Sequence, residues 1–453
     1  MASTSASPSE ISHPVVFTTQ TPYPLPSQKF MIPTSWRRYQ LSQLVNRALS
    51  LPSPIPFDFL VHGEILRGTL TEWCAEKGIG EEEMLEIEYF ESVMPPQKMS
   101  DLPHEDWVSS VSCALPGHFL TASYDGHLRV FNYSQKLLYT SAVHMAPITS
   151  ICVIPSSSSA SSPTLLASAS HDLTARLSTL SCPSDSPDSS VQVQVIASLH
   201  LHTASISSVS ANSVGSHLLT SSWDDLIGLW DTSVPTTDEV PPEDVDRKKR
   251  RKVDEQASRP KRKAPLSVLK SHTARVSRAI FGTSEEAYSC GFDSTIRSWD
   301  VENGVCTNTI TASAKPFLDL ALTQSRTVLA ASTDRTVSQY DLRASTASAT
   351  TPSTATLRHS ATPSCIVVPS TSNSSVDTSS EHQLLTGAYD GIVRLWDLRS
   401  VKSAVTSFKA WEGTEKTGKK VLSIDWARGI VGVGGEGGVE VWRLGQGGRA
   451  IPS

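Results

Sequence analysis

One short pattern, repeated seven times, constrains this chain more than any other feature. Each copy runs from small residues to an acidic residue, then through a β-rich stretch that closes on an aromatic six positions later. The pairs are Asp125 and Phe131, Asp224 and Trp230, Asp293 and Trp299, Asp334 and Tyr340, Asp390 and Trp396, and Glu436 and Trp442. In the remaining copy Asp172 is followed by Ser178, so the aromatic is lost. The intervals between acidic residues are 47, 52, 69, 41, 56 and 46, and the excess over about 40–45 falls in polar inserts. The inserts at 156–163, 182–190 and 369–380 read as flexible surface loops between strands. A unit this short cannot bury its apolar face alone, so the copies must stack.

The recurring side chains suit a structural role. An Asp in a tight turn between strands can accept backbone and imidazole hydrogen bonds. His144, His202, His272 and His359 stand some 20–30 residues upstream of such an Asp, each ahead of an apolar strand. His, Asp and Ser together imitate a hydrolase triad, but a triad is one exposed site with an oxyanion hole. Even repetition points instead to bonds that hold blades together, and no enzyme is expected. Each copy resembles a WD40 repeat, which implies a mainly β chain with a seven-bladed β-propeller over residues 106–446. Blade 2, with Ser178, and blade 7, with Glu436 and no matching His, are expected to be less rigid. Blade 7 supplies only three strands of its own, so its fourth is expected from the linker 92–105, within residues 95–105. A tail follows at 447–453.

The N-terminal part has another rhythm. Residues 1–13 are Ser/Thr/Pro-rich, lack an apolar signal segment and are expected to be disordered. Residues 14–91 alternate strands with one helix, on which Leu41, Leu44, Val45 and Leu49 share a face and Thr34 or Ser35 is the expected cap. A strand (FDFLVHG), a turn with a short helix (ILRGTLTEWCAEKG) and a last strand (LEIEYF) complete a layout that resembles a ubiquitin-like β-grasp. No Gly-Gly follows Tyr89-Phe90, so a docking module is expected rather than a conjugated tag.

Charge is unevenly spread. The chain carries −6 overall, yet residues 247–263 hold ten basic and two acidic side chains, which leaves −14 on everything else. Arg247, Lys248, Lys249, Arg250, Arg251 and Lys252 form one cluster, and Lys261, Arg262 and Lys263 with Arg259 form a second. Both lie in an insert, 234–266, expected to be disordered between blades 3 and 4. An exposed double cluster fits a nuclear import signal, and the same charges would also support a pre-rRNA phosphate contact. Seven scattered cysteines without a CxxC pair argue against a disulfide framework or a metal site, and no apolar run is long enough to span a membrane. Gly413–Lys420 nearly spells a P-loop, but Lys420 holds the Ser/Thr position and a strand follows where a helix should begin. No cofactor is expected.

Taken together, the ubiquitin-like domain, Ile55-Pro56-Phe57-Asp58-Phe59-Leu60, Gly63-Glu64-Ile65-Leu66-Arg67, the junction Glu105-Asp106-Trp107-Val108-Ser109-Ser110 and the repeats resemble the WD repeat domain twelve family of ribosome biogenesis proteins. That resemblance implies a noncatalytic scaffold in maturation of the large (60S) subunit and its 25S/28S and 5.8S rRNAs, found in nucleolus and nucleoplasm. It implies that the propeller binds a block-of-proliferation-type WD-repeat protein and, with it, pescadillo. The ubiquitin-like domain would dock on the AAA ATPase midasin by placing Glu82 on a metal ion held by that partner. Three consecutive glutamates leave Glu81 and Glu83 as alternative registers. A notchless-like pre-60S factor and a WD40 substrate adaptor in ubiquitin signalling are the alternative readings.

Overall fold

His13, Val15 and Phe17 turn inward from the first strand while their neighbours face outward, the period-two burial of a half-covered sheet. In the computed structural model the described residues are 12–51, 53–80, 83–155, 163–181, 191–240, 260–311, 315–342, 353–369, 382–412 and 419–445. The N-terminal domain runs β1 (Ser12–Thr18), β2 (Lys29–Pro33), α1 (Arg38–Leu49), β3 (Phe57–Val61), β4 (Glu64–Ile65), α2 (Leu70–Lys77) and β5 (Leu85–Glu91). Its sheet has the order β2-β1-β5-β3-β4, with β1 and β5 parallel, which is the ubiquitin-like β-grasp. Leu41 and Val45 of α1 and Leu70 and Trp73 of α2 are buried in its core with Phe57, Phe59 and Tyr89.

Two local expectations are corrected. Ser12 and His13 belong to β1 and pair with Pro33 and Ile32, because burying His13 extends the inward-facing row. Helix α1 begins after Arg37, whose N–H donates to Gln40 Oε1 at 3.0 Å, so neither Thr34 nor Ser35 is the cap. Helix α2 follows the sequence cues closely. Thr69 caps it by accepting Glu72 N–H at 3.2 Å, Glu72 returns a bond to Thr69 N–H at 3.1 Å, and Gly78 stops it at φ +69°.

The rest of the described chain is a seven-bladed WD40 propeller whose blades are four-stranded antiparallel sheets, with one short parallel strand added at the edge of blade 2. Blades 1, 2, 4, 5 and 6 lie at 108–142, 148–200, 276–311, 317–358 and 363–409. Blade 3 joins 206–231 to the strand Ser267–Lys270, and blade 7 joins 421–443 to β6 (Gln97–Leu102). In that last pairing Leu102 stands opposite Val439, so the segment before the first blade closes the ring. Closure removes the exposed edge that blade 7 would otherwise present. The basic insert falls inside blade 3, between its third and fourth strands, rather than between blades 3 and 4. The offset arises because each repeat ends on its aromatic strand, whereas each blade ends on the strand after it.

Candidate functional site

The repeat residues meet in small polar networks. His144 Nδ1 lies 2.8 Å from Asp172, His202 Nδ1 3.1 Å from Asp224 and His272 Nδ1 2.8 Å from Asp293. The other imidazole nitrogen faces Ser168, Thr220 and Ser289 respectively, at 2.8, 2.8 and 2.7 Å. Trp230, Trp299 and Trp396 donate from Nε1 to Thr220, Ser289 and Thr386 at 2.9, 2.8 and 2.9 Å. A buried hydroxyl is thereby fully used, which is what a low-dielectric interior demands. Burial raises the Asp293 carboxyl, but bonds from His272, Thr295 and Thr273 outweigh it and hold the group well below the usual range. These atoms are committed to one another and leave no free nucleophile–base pair.

Three blades depart from the expected pattern. His359 does not reach Asp390. Its Nε2 lies 2.8 Å from Thr386, while Asp390 is taken by Arg394 at 2.7 Å and Ser360 at 2.5 Å. Asp334 is exposed, has no histidine partner among the described residues, and accepts from Thr336 N–H at 3.0 Å within its own turn. In blade 1 the histidine is His104, 2.8 Å from Thr121, and Asp125 is held by Arg129 at 2.5 Å. Both signals were present in the sequence. His104 precedes Asp125 by the spacing of the other pairs, and an Arg four residues after the Asp recurs as Arg129, Arg176, Arg297 and Arg394.

Blade 7 has a substitute built around Glu440, a buried carboxylate. It accepts from Lys98 of β6 at 2.7 Å, from Trp411 N–H at 2.9 Å and from Trp442 Nε1 at 3.0 Å. Glu436 accepts from Lys420 N–H at 3.1 Å, so the P-loop look-alike ends in a blade turn.

The inner strands are stitched across the seams between blades. Val111 N–H donates to Ser423, Ile151 N–H to Ser110, Val209 N–H to Ser150 and Ala279 N–H to Ser208, at 3.2, 3.2, 3.4 and 3.2 Å. Two carboxylates do the same work, Asp319 for Ile366 N–H and Asp425 for Cys113 N–H, each at 2.6 Å. Burial pushes both carboxyls upward, and Arg278, 3.0 Å from Asp319, opposes that. These side chains line a central cavity of about 380 Å³. Its serines read from the sequence only as generic small strand residues.

The expected binding residues lie elsewhere. Glu81, Glu82 and Arg247–Lys252 fall outside the described residues. Glu83 is exposed, and its N–H donates to Gly80 O at 3.2 Å ahead of β5. The second basic cluster is not a disordered loop. Lys261–Lys263 form a strand parallel to the outer strand of blade 2, with Ala197 opposite Lys261 and Leu199 opposite Lys263. Lys263 is buried and donates to Ser233 O at 2.5 Å, while Arg262 N–H donates to Asp238 at 2.8 Å. Residues 236–239 thus zip against 261–264, because the edge of blade 2 offers unpaired backbone groups that this segment satisfies.

The two domains also touch. Arg399 of blade 6 lies 3.5 Å from Glu88 and stacks over the Phe90 ring, while Lys402 lies 3.0 Å from Glu64.

Family comparisons match this arrangement. Residues 14–74 match the NLE (NUC135) domain, and 97–132, 193–231 and 354–397 match the WD domain, G-beta repeat. A protein of Laccaria bicolor named ribosome biogenesis protein YTM1 is 60% identical, covering 98% of this chain and 99% of its own. The chain belongs to the YTM1 family of ribosome biogenesis proteins. The YTM1 protein of Coprinopsis cinerea is 57% identical over 95% of the chain. That of Saccharomyces cerevisiae is 31% identical over 90%, so the YTM1 layout persists at much lower identity.

Proposed function

We propose that this YTM1-family chain is a noncatalytic scaffold in maturation of the large ribosomal subunit. The observation that carries the reading is the near full-length identity to proteins named for ribosome biogenesis, over a chain whose recurring polar residues are consumed in blade networks. In this reading the propeller binds a block-of-proliferation-type WD-repeat protein together with pescadillo. The ubiquitin-like domain presents a carboxylate, Glu82 or its neighbour Glu81 or Glu83, to a metal ion held by midasin. A hard cation such as Mg²⁺ takes a carboxylate oxygen at ~2.1 Å, and Glu83, the described member of the three, is exposed. Arg247–Lys252 carry the nuclear import signal, so the protein resides in nucleolus and nucleoplasm.

Affinity purification with mass spectrometry tests the scaffold. Large-subunit precursors with pescadillo are expected, whereas a cullin or proteasome set would favour the ubiquitin-signalling adaptor. A midasin pull-down with Ala placed separately at positions 81, 82 and 83 tests the carboxylate. Loss at one position, mimicked by chelation, is expected; equal metal-independent binding by all three variants rejects it.

A further inference from the structure

The contact between the two domains is mainly charged and polar, with the Phe90 ring as its apolar member. The β-grasp core contains no propeller side chain, and the apolar clusters of blades 5 to 7 contain none from residues 12–91. What joins them is a strip of three carboxylates, Glu64, Glu76 and Glu88, facing the loop 398–404 of blade 6. Lys402 Nζ lies 3.0 Å from Glu64 and 3.4 Å from Glu76. Arg399 Nη1 lies 3.5 Å from Glu88, and its guanidinium carbon stands 4.3 Å from the centre of the Phe90 ring. Ile65 N–H donates to Ser400 Oγ at 3.2 Å, and Arg67 donates to Ser403 O at 3.4 Å.

The propeller half of this contact is preorganised. Arg399 is clamped by the buried Asp397, with Nε 3.1 Å from Oδ1 and Nη2 2.8 Å from Oδ2. Its remaining edge and its face are therefore aimed at the β-grasp domain at little entropic cost. The connection between domains is anchored on both sides. Ser92 N–H donates to Pro56 O at 2.8 Å and its hydroxyl accepts from Arg38 at 2.8 Å. Val93 packs on the blade 6–7 core, and Met94 N–H donates to Gly445 O at 2.9 Å. Between the anchors only the Ser92–Val93 junction can pivot.

We propose that the strip Glu64–Glu76–Glu88 is a recognition surface for a paired Arg/Lys loop, occupied in the free protein by residues 398–404 as a reversible ionic latch pivoting at Ser92–Val93. Domain contacts of this kind resemble transient interfaces, and exposed ion pairs are screened by salt. A protein that presents a similar basic loop competes with blade 6 for the strip. One that approaches the Glu83 end of β5 meets the domain while it is still latched. The latch belongs to the free chain and is the same whichever partner binds.

Amide hydrogen exchange on the full-length protein tests it. At low salt, Ile65, whose N–H is bonded across the contact to Ser400, should be protected together with residues 401–404. Raising NaCl to about 0.5 M should lower both protections about tenfold, the sum of a few screened pairs, and leave β6 unchanged. The Glu76→Lys/Glu88→Lys double variant should do the same at low salt. Both outer glutamates are solvent-accessible, so this variant leaves Asp397 and its arginine intact. Absence of joint protection at low salt would overturn the latch, as would protection that ignores both salt and charge reversal.

Discussion

His144 Nδ1 stands 2.8 Å from an oxygen of Asp172, tying the connection that enters blade 2 to that blade's turn. Burial pushes the imidazole below its ordinary range, so it donates as a neutral ring. Burial raises Asp172, but bonds from His144 and Thr174 prevail and bring it to about 2. His359, mainly through burial, is lowered to about 4.

The first prediction is acid lability. An unfolded His titrates near ~6.5, so below that pH the unfolded chain binds protons that the buried rings refuse. Stability from His359 is complete above that value and falls as pH drops toward about 4. Asp172 adds a further loss as pH falls from the ordinary carboxylate range to about 2. The unfolding free energy from urea titration should fall between pH 7 and 5 by an amount on the order of 1–3 kcal/mol. His359→Gln should flatten that slope.

Removing the indole donor isolates one bond of the blade network. Trp299→Phe leaves Ser289 and most of the buried ring volume but deletes the 2.8 Å bond. A cost of about 1–2 kcal/mol is expected, against about 3–5 for Trp299→Ala. Thermal unfolding of the two variants measures the difference.

Ring closure should depend on Glu440. Glu440→Ala removes the acceptor of the Trp411 and Trp442 N–H groups and leaves a cavity, while Lys98 keeps Asp101 at 2.8 Å, and about 2–4 kcal/mol should be lost. Hydrogen exchange should rise first in residues 97–102, the strand Lys98 belongs to. Equal acceleration in all blades would reject a local role.

The two basic clusters should separate in function. Ala at Lys248, Lys249, Arg250 and Arg251 should shift the protein toward the cytoplasm without altering its unfolding temperature. Lys263→Ala should do the reverse, because its ammonium is buried against Ser233 and lies 3.7 Å from Asp231. Fluorescence localisation paired with a melting curve distinguishes them.

Much of the architecture was legible from spacing alone. Acid-to-aromatic intervals counted the blades, and period-two and helical runs outlined the β-grasp with its second, short helix. The His–Asp pairs of blades 2, 3 and 4 followed from the same rhythm, because each links a turn to the segment just before it. Such contacts are local in sequence, so periodicity encodes them.

Other features needed the ring itself. Asp390 has Arg394 in the strand that follows its turn, which leaves His359 to Thr386, and spacing cannot rank two competing donors. Serines at 110, 150, 208 and 423 became acceptors only when neighbouring inner strands came side by side. Lys98 and Glu440 are 342 positions apart, and Arg399 and Glu88 are 311 apart. Sequence by itself determined what most segments of this chain become, though not Lys261–Lys263, since propensity and side-chain period act over a few residues. The closing strand was expected from the sequence, but its register and the domain docking were decided only by the tertiary structure, because a buried charge finds its partner through where the folded backbone carries it.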